Sequence, residues 1–270
     1  MKHGFVLPGG TASAQLELAV LADEAGWDGV FVWEGGYAVD AWSLLAAMAT
    51  RTSHVRLGTM LTPLPWRRPW KLASQVATLD ELSNGRAILA VGLGAVDTAL
   101  GSYGEITDRK ARAALLDEGI DALDALWSGA RVFDSAHHHL DLSGAVTQEP
   151  AVVQQPRVPI WVVGAWPSTK SMTRVLRCDG VLPTTMGDSG SRLSTPSELV
   201  DMLTWLDAHG GRRPGFDVVV EGESERDTMA ELTRPWAEAG ATWWMETRWA
   251  ANDPAQVRDR IAAGPAPVVG

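Results

Sequence analysis

The feature that most constrains this chain is its end-to-end alternation of short apolar runs with longer amphipathic ones. Strand patterns occupy residues 2–7, 29–33, the run around Gly58, 87–91, 160–163, 180–182, 216–220 and 242–245. Helical patterns fall between them, with the punctuation that starts and stops helices. Residues 11–25 stop at Gly26, and residues 40–51 follow the second strand. A helix opening at Pro69 stops at Asn84-Gly85, and residues 108–128 stop at Gly129. Residues 168–177 come after the fifth strand. Thr195-Pro196-Ser197-Glu198 is a capping box opening a helix that ends at Gly210, and Asp253-Pro254 begins a last one ending at Gly264. Eight strands, each followed by a helix, is the (β/α)₈ TIM-barrel pattern of the α/β class, and 270 residues suit one such barrel. No linker or repeat divides residues 1–270, which read as a single domain. The alternative is an open, doubly wound sheet, because a sequence does not prove closure.

Residues 55–94, VRLGTMLTPLPWRRPWKLASQVATLDELSNGRAILAVGLG, hold two of these units. Gly58 interrupts a β-prone run, where glycine weakens a strand unless another backbone or a ligand comes close. Leu72, Val76, Leu79 and Leu82 form the expected buried stripe of the helix. The next strand runs into Gly92-Leu93-Gly94. Strand carboxyl ends are where barrels place their chemistry. The positions to inspect are therefore Glu34, Thr59 to Thr62, Gly92 to Asp97, Gly164 to Thr169, Thr184, Thr185, Glu221 and Glu246.

Composition narrows the function. A net charge of −10 argues against nucleic acid or an anionic membrane as partner. Cys178 is the one cysteine, which excludes an internal disulfide and reads as a buried packing residue. With no charged-then-apolar leader and no run of about 20 apolar residues, the expected location is cytoplasmic. Thirteen tryptophans are unusual. Those near strand ends and loops, Trp33, Trp42, Trp66, Trp166 and Trp249 among them, either wall a pocket for a planar ligand or fill an aromatic core.

Several constellations bear on chemistry. Gly92-Leu93-Gly94 lacks the third glycine of a dinucleotide fingerprint, but lets backbone approach a flat ring. Gly164-Ala165-Trp166-Pro167-Ser168-Thr169 is a strand end followed by helix-start hydroxyls: a phosphate site, or plain N-capping. His137-His138-His139 cannot converge on one metal from a strand and reads as a solvent-facing hairpin within residues 132–142. There is no metal motif, and no metal is expected. With no nucleophile elbow either, demanding chemistry falls to an organic cofactor. Glu34 and Glu246 remain as carboxylates for proton transfer, Glu246 having a salt bridge to Arg248 as its alternative.

These motifs together resemble the bacterial-luciferase-like flavin-dependent oxidoreductases. The matching segments are LADEAGWDGVFVWE, VRLGTMLTP with RRP and ATLDELSNGR, VGLG, LLDEGIDALDALWSG, PRVPIWVVGA and CDGVLP, in family order over most of the chain. The resemblance implies a short TIM barrel with a non-proline cis peptide at Met60-Leu61 behind the flavin ring. It implies a cofactor site at Thr59, Met60, Leu61, Gly92, Leu93, Gly94, Gly164, Ala165, Trp166, Ser168 and Thr169, with a substrate pocket at Trp33, Trp42, Asp97 and Thr184. Glu34 and Glu246 are the candidate catalytic residues. Two departures stand out: Gly35-Gly36 where many relatives carry a histidine, and Leu93 where some carry a phosphate-gripping arginine.

The implied cofactor is FMN, with the deazaflavin coenzyme F420 as alternative. The missing histidine tilts the expectation towards a reduced-FMN-dependent monooxygenase acting on a small apolar or aromatic molecule. A separate flavin reductase and a homodimer built on the second and third helices accompany that reading. The alternatives are a deazaflavin-dependent dehydrogenase or reductase working by hydride transfer, and a flavin-binding homologue without catalysis.

Overall fold

The computed structural model describes residues 1–94, 99–144, 152–188 and 190–266. Eight parallel strands form the centre: β1 (Lys2–Val6), β2 (Gly29–Val32), β3 (Arg56–Thr59), β4 (Ala87–Gly92), β5 (Ile160–Trp166), β6 (Gly180–Gly187), β7 (Asp217–Gly222) and β8 (Trp243–Glu246). Each pairs with its sequence neighbours, and β8 pairs with β1, so the sheet closes into a barrel. The open-sheet alternative is thereby excluded. The helices α1 (Ala12–Glu24), α2 (Ala41–Ala49), α3 (Pro69–Leu82), α4 (Arg109–Trp127), α5 (Thr169–Val175), α6 (Pro196–Ala208), α7 (Met229–Glu238) and α8 (Arg258–Ala263) follow the strands in turn.

Local chemistry sets the helix ends. Asp40 and Asp108 cap α2 and α4, each accepting a hydrogen bond at 2.7 Å from the backbone N–H three residues on. The capping box at Thr195 and Glu198 forms as expected. Asn84 and Gly85 both take positive φ (55° and 80°), which ends α3. Leu82, expected in the buried stripe of α3, is instead 47% exposed. The buried stripe runs on from Leu79 to Ser83, four residues later, which turns Leu82 to solvent.

The chain doubles back after β6: Gly190–Leu193 pairs antiparallel with the end of that strand. The short antiparallel pair Val132–Asp134 and His139–Asp141 lies outside the barrel. It is not wholly solvent-facing. His138 is buried edge-on to Trp70, with rings 6.4 Å apart, while His137 bonds Glu118 of α4 at 2.7 Å.

Strand periodicity sorts side chains into two cores. Val30, Val32, Leu57, Leu89, Val162, Val218, Val220 and Trp244 point outward against the helices. Phe31, Ile88, Ala90, Trp161, Val219, Trp243 and Met245 fill the barrel interior. Phe31 stacks on Trp161 at 5.4 Å and meets Trp243 edge-on at 6.1 Å. Both indole N–H groups donate to Asp217, at 3.2 Å and 2.9 Å. Because Asp217 and Trp243 begin their strands, this aromatic plug closes the amino end of the barrel and leaves the carboxyl end for a ligand. Trp42 belongs to the outer core and not to a pocket.

Candidate active site

The carboxyl ends of the strands open into a cavity of about 1670 Å³. Its floor is apolar, from Met60, Leu61, Val163, Leu182 and Val219. Between β3 and β4 the chain forms a bulge. Gly58 pairs with Ile88 and Thr62 with Val91, so four positions on one side advance against three on the other. Met60-Leu61, the cis peptide that the resemblance implies, sits in that bulge. Thr59 lies beneath it, fully buried and bonded to Thr62 at 2.9 Å and to the Ala90 carbonyl at 3.3 Å. Thr59 therefore supports the floor and does not line the cavity.

The same period-two rule separates the other expected residues. On β5, Ala165 lines the cavity, whereas a Cβ on Gly164 would lie 2.6 Å from Val181 and 3.2 Å from Val175, facing α5. A Cβ on Gly92 would meet Leu61 at 2.9 Å and Val163 at 3.1 Å. These two glycines make room for protein packing, not for a ring against bare backbone. Gly58 likewise faces the Ile88 carbonyl oxygen, 2.4 Å from an added Cβ. Leu93, Gly94, Ser168 and Thr184 line the cavity, while Trp166 and Thr169 lie beside it without lining it. Asp97 lies outside the described residues.

Parity also decides between the carboxylates. Glu246 shares a face with Trp244, outside the barrel. It is fully buried and accepts bonds from Ser224 (backbone at 2.7 Å, hydroxyl at 2.5 Å), with Arg248 at 3.4 Å and Arg260 at 3.5 Å. The structure thus gives Glu246 the salt-bridge role and removes it from the mouth. Glu221, sharing a face with Val219, enters the cavity instead, and Trp249 donates its indole N–H to it at 2.9 Å. Desolvation raises the Glu221 carboxyl above its ordinary value, partly offset by the Trp249 bond. Glu34 also lines the cavity. Its carboxylate is almost fully buried against Arg67, leaving Oε2 with no hydrogen-bond partner.

The glycines that follow Glu34 answer to ring packing. A Cβ on Gly35 would lie 2.8 Å from Trp33, and one on Gly36 would lie 2.7 Å from Tyr103. Trp33 and Tyr103 both line the cavity, so two aromatic walls stand beside Gly35 and Gly36.

Opposite, at the start of α4 and α5, the wall is cationic. Arg109, Lys110 and Lys170 line it. Arg174, also lining, is already paired with Asp117 at 2.7 Å. Arg112 lies just behind, 1% exposed, with Nε and Nη2 lacking hydrogen-bond partners. An added Cβ on Gly94 would come within 2.9 Å of its Nη2. Burial, then the neighbouring Arg109, lowers the Arg112 pKa from its ordinary value. Arg109, Lys110, Arg112 and Lys170 have no carboxylate partner among the described residues. An unpaired, desolvated guanidinium is costly, which marks this corner as a place for an anion. The sequence reading missed it. Among the described residues no group of three His, Cys, Asp or Glu side chains gathers to hold a metal. No helix among them is long and apolar enough to cross a membrane.

Comparison with known proteins bears on the family and the fold. Residues 2–222 match the family model of the luciferase-like monooxygenases. An F420-dependent glucose-6-phosphate dehydrogenase of Nocardia farcinica is 30% identical, over 93% of this chain and 76% of the relative. Among solved structures, the coenzyme F420-dependent tetrahydromethanopterin reductase of Methanopyrus kandleri superposes with a TM-score of 0.75, covering 98% of each chain at 15% identity. The oxygenating constituent of 3,6-diketocamphane monooxygenase of Pseudomonas putida, in complex with FMN, gives 0.63 over 86% of this chain and 70% of that one, at 19% identity. At those identities the structural likeness is one of fold. Family model and relatives together establish that this chain belongs to the luciferase-like monooxygenase family and is an oxidoreductase of that family.

Proposed function

We propose that the protein is a deazaflavin-dependent oxidoreductase acting by hydride transfer, with coenzyme F420 as its cofactor. The observation that carries this reading is the cationic corner: four cations without carboxylate partners among the described residues, in a chain of net charge −10. A flavin mononucleotide offers one phosphate. The deazaflavin coenzyme adds a carboxylate-bearing tail, and that greater negative charge suits Arg109, Lys110 and Lys170 beyond the buried Arg112. The relatives' names favour the same cofactor. The reduced-FMN monooxygenase expected from sequence, and the separate flavin reductase that would feed it, are thus the weaker reading.

Bound deazaflavin supplies the hydride donor or acceptor. Arg112, Ser168 and Lys170 would hold its anionic groups, and Met60, Leu61 and Leu93 would offer apolar surface to the ring. Glu34 has one carboxylate oxygen held by Arg67 and one free to take or give a substrate proton. Trp33, Trp66 and Tyr103 would exclude water from the reacting atoms. A homodimer through α2 and α3 belongs to this proposal and is read by sedimentation. The function itself is tested by following bleaching of oxidised deazaflavin anaerobically with a panel of alcohols. Turnover supports the proposal, and oxygen-dependent turnover with reduced FMN alone counts against it.

A further inference from the structure

The polarity of the mouth specifies a substrate class; this rests on the preceding reading in giving the α4–α5 corner to the cofactor. In the closed strand order, β7 lies opposite β3 and β8 opposite β4, with β6 standing between β7 and β5. Glu221 presents its carboxyl from β7, bonded only by Trp249 and without a cation among the described residues. Arg248 is the lining cation on that side, and it is already surrounded. Glu225 stands at 2.8 Å, Glu246 at 3.4 Å and Glu223 at 3.6 Å, and the Ser224 carbonyl accepts from it at 2.8 Å. Glu34, on the next side, consumes Arg67. The lining that comes from β7, β8, β2 and the loops after them therefore holds two carboxyl groups and no uncompensated cation among the described residues, above the apolar floor.

We propose that this end takes an uncharged substrate with an apolar body and a hydroxyl group, the hydroxyl donating to Glu221 and the body lying against Trp249, and that phosphorylated substrates are excluded. A phosphate placed there would face Glu221 and the carboxylates around Arg248 with no partner of its own, and like charges so close to an apolar floor repel strongly. A hydroxyl meets an acceptor already oriented by an indole N–H. The raised Glu221 pKa fits a group kept in apolar surroundings. The specificity would thus depart from that of the relatives named as glucose-6-phosphate dehydrogenases.

Saturation-transfer NMR on the full chain tests this with cyclohexanol and glucose 6-phosphate as probes, with and without the deazaflavin. The expected result is transfer to cyclohexanol and none to glucose 6-phosphate. Glu221→Leu should weaken cyclohexanol binding by about tenfold. Glu221→Gln, which keeps an acceptor oxygen, should stay within about threefold of the parent. Glu221→Lys supplies the missing cation and should gain glucose 6-phosphate binding, a gain that no folding defect mimics. Glucose 6-phosphate binding to the unaltered protein as tightly as cyclohexanol, or Glu221→Leu binding cyclohexanol unchanged, would overturn the proposal. If the deazaflavin fails to bind while the probes behave as stated, the cofactor reading falls and this subsite stands.

Discussion

The Glu34 carboxylate pairs with the Arg67 guanidinium through one oxygen only, leaving Oε2 buried without a partner. Buried polar atoms are rarely left so, and a carboxylate oxygen in a cavity wall is placed to meet a substrate proton. Glu34→Gln keeps the shape and removes the charge. It should lower kcat/KM by about 10²-fold, the scale of a lost proton-transfer group, with cofactor affinity unchanged. Steady-state kinetics beside a cofactor titration separates the two, and full turnover in that variant would remove Glu34 from the mechanism.

Arg112 makes a prediction of opposite signs. Replacing it with Met removes an unpaired buried cation, so the cofactor-free protein should keep its stability or gain about 1 kcal/mol. The same change should weaken cofactor binding by about tenfold or more, since a charge-assisted bond contributes about 1.5–3 kcal/mol. Denaturant unfolding and a binding titration read both effects. A destabilised variant with normal affinity would make Arg112 a structural residue.

Two carboxyls give pH signatures of opposite sense. Glu198 is held at about 2 against an ordinary 4.5, by the Arg192 side chain first, which outweighs the cost of burial, with bonds from Thr195 adding to the lowering. Its pKa is depressed on folding, so its stabilisation is present above about 4.5 and lost as pH falls towards 2. Glu198→Ala should cost about 1 kcal/mol at pH 7, a figure discounted for solvent exposure, and the difference should shrink through that window. Glu221 is raised from 4.5. Its cost to folding is absent below the unfolded pKa and appears as pH rises through 4.5 towards the folded value. Glu221→Gln should therefore stabilise the protein at pH 7 and leave it unchanged at pH 4. Unfolding curves across pH 3–8 check both signs.

Cys178 is buried in the outer core, and burial pushes its thiol up to about 12. At pH 8 almost none is thiolate. Modification by a thiol reagent should then proceed only through opening of the fold, with a rate that rises with added denaturant. Rapid labelling of the native protein would contradict the packing described here.

Much of the barrel was legible from the sequence because its punctuation is chemical. Asp40, Asp108, Thr195 with Glu198, and Asn84-Gly85 mark helix ends by groups that satisfy free backbone. The upper part of β6 was not, because Thr184, Thr185 and Met186 leave the apolar interior and lose the strand pattern as they reach the cavity and the returning Gly190–Leu193. Among site residues, strand parity was the signal left unused. Counting in twos from Trp243 and Val219 sends Glu246 out and Glu221 in. Arg112 was hidden for another reason. Asp108 stands four residues before it, which reads as a surface ion pair, but Asp108 is spent capping α4 through the Ala111 N–H and the guanidinium turns inward.

The most direct measurement is a parallel equilibrium titration of the protein with oxidised coenzyme F420 and with FMN, at low and high salt. The account predicts that the deazaflavin binds about a hundredfold more tightly, the worth of two further charge-assisted contacts, and that this margin narrows as salt is raised. Tight, salt-insensitive binding of FMN with no affinity for the deazaflavin would contradict it.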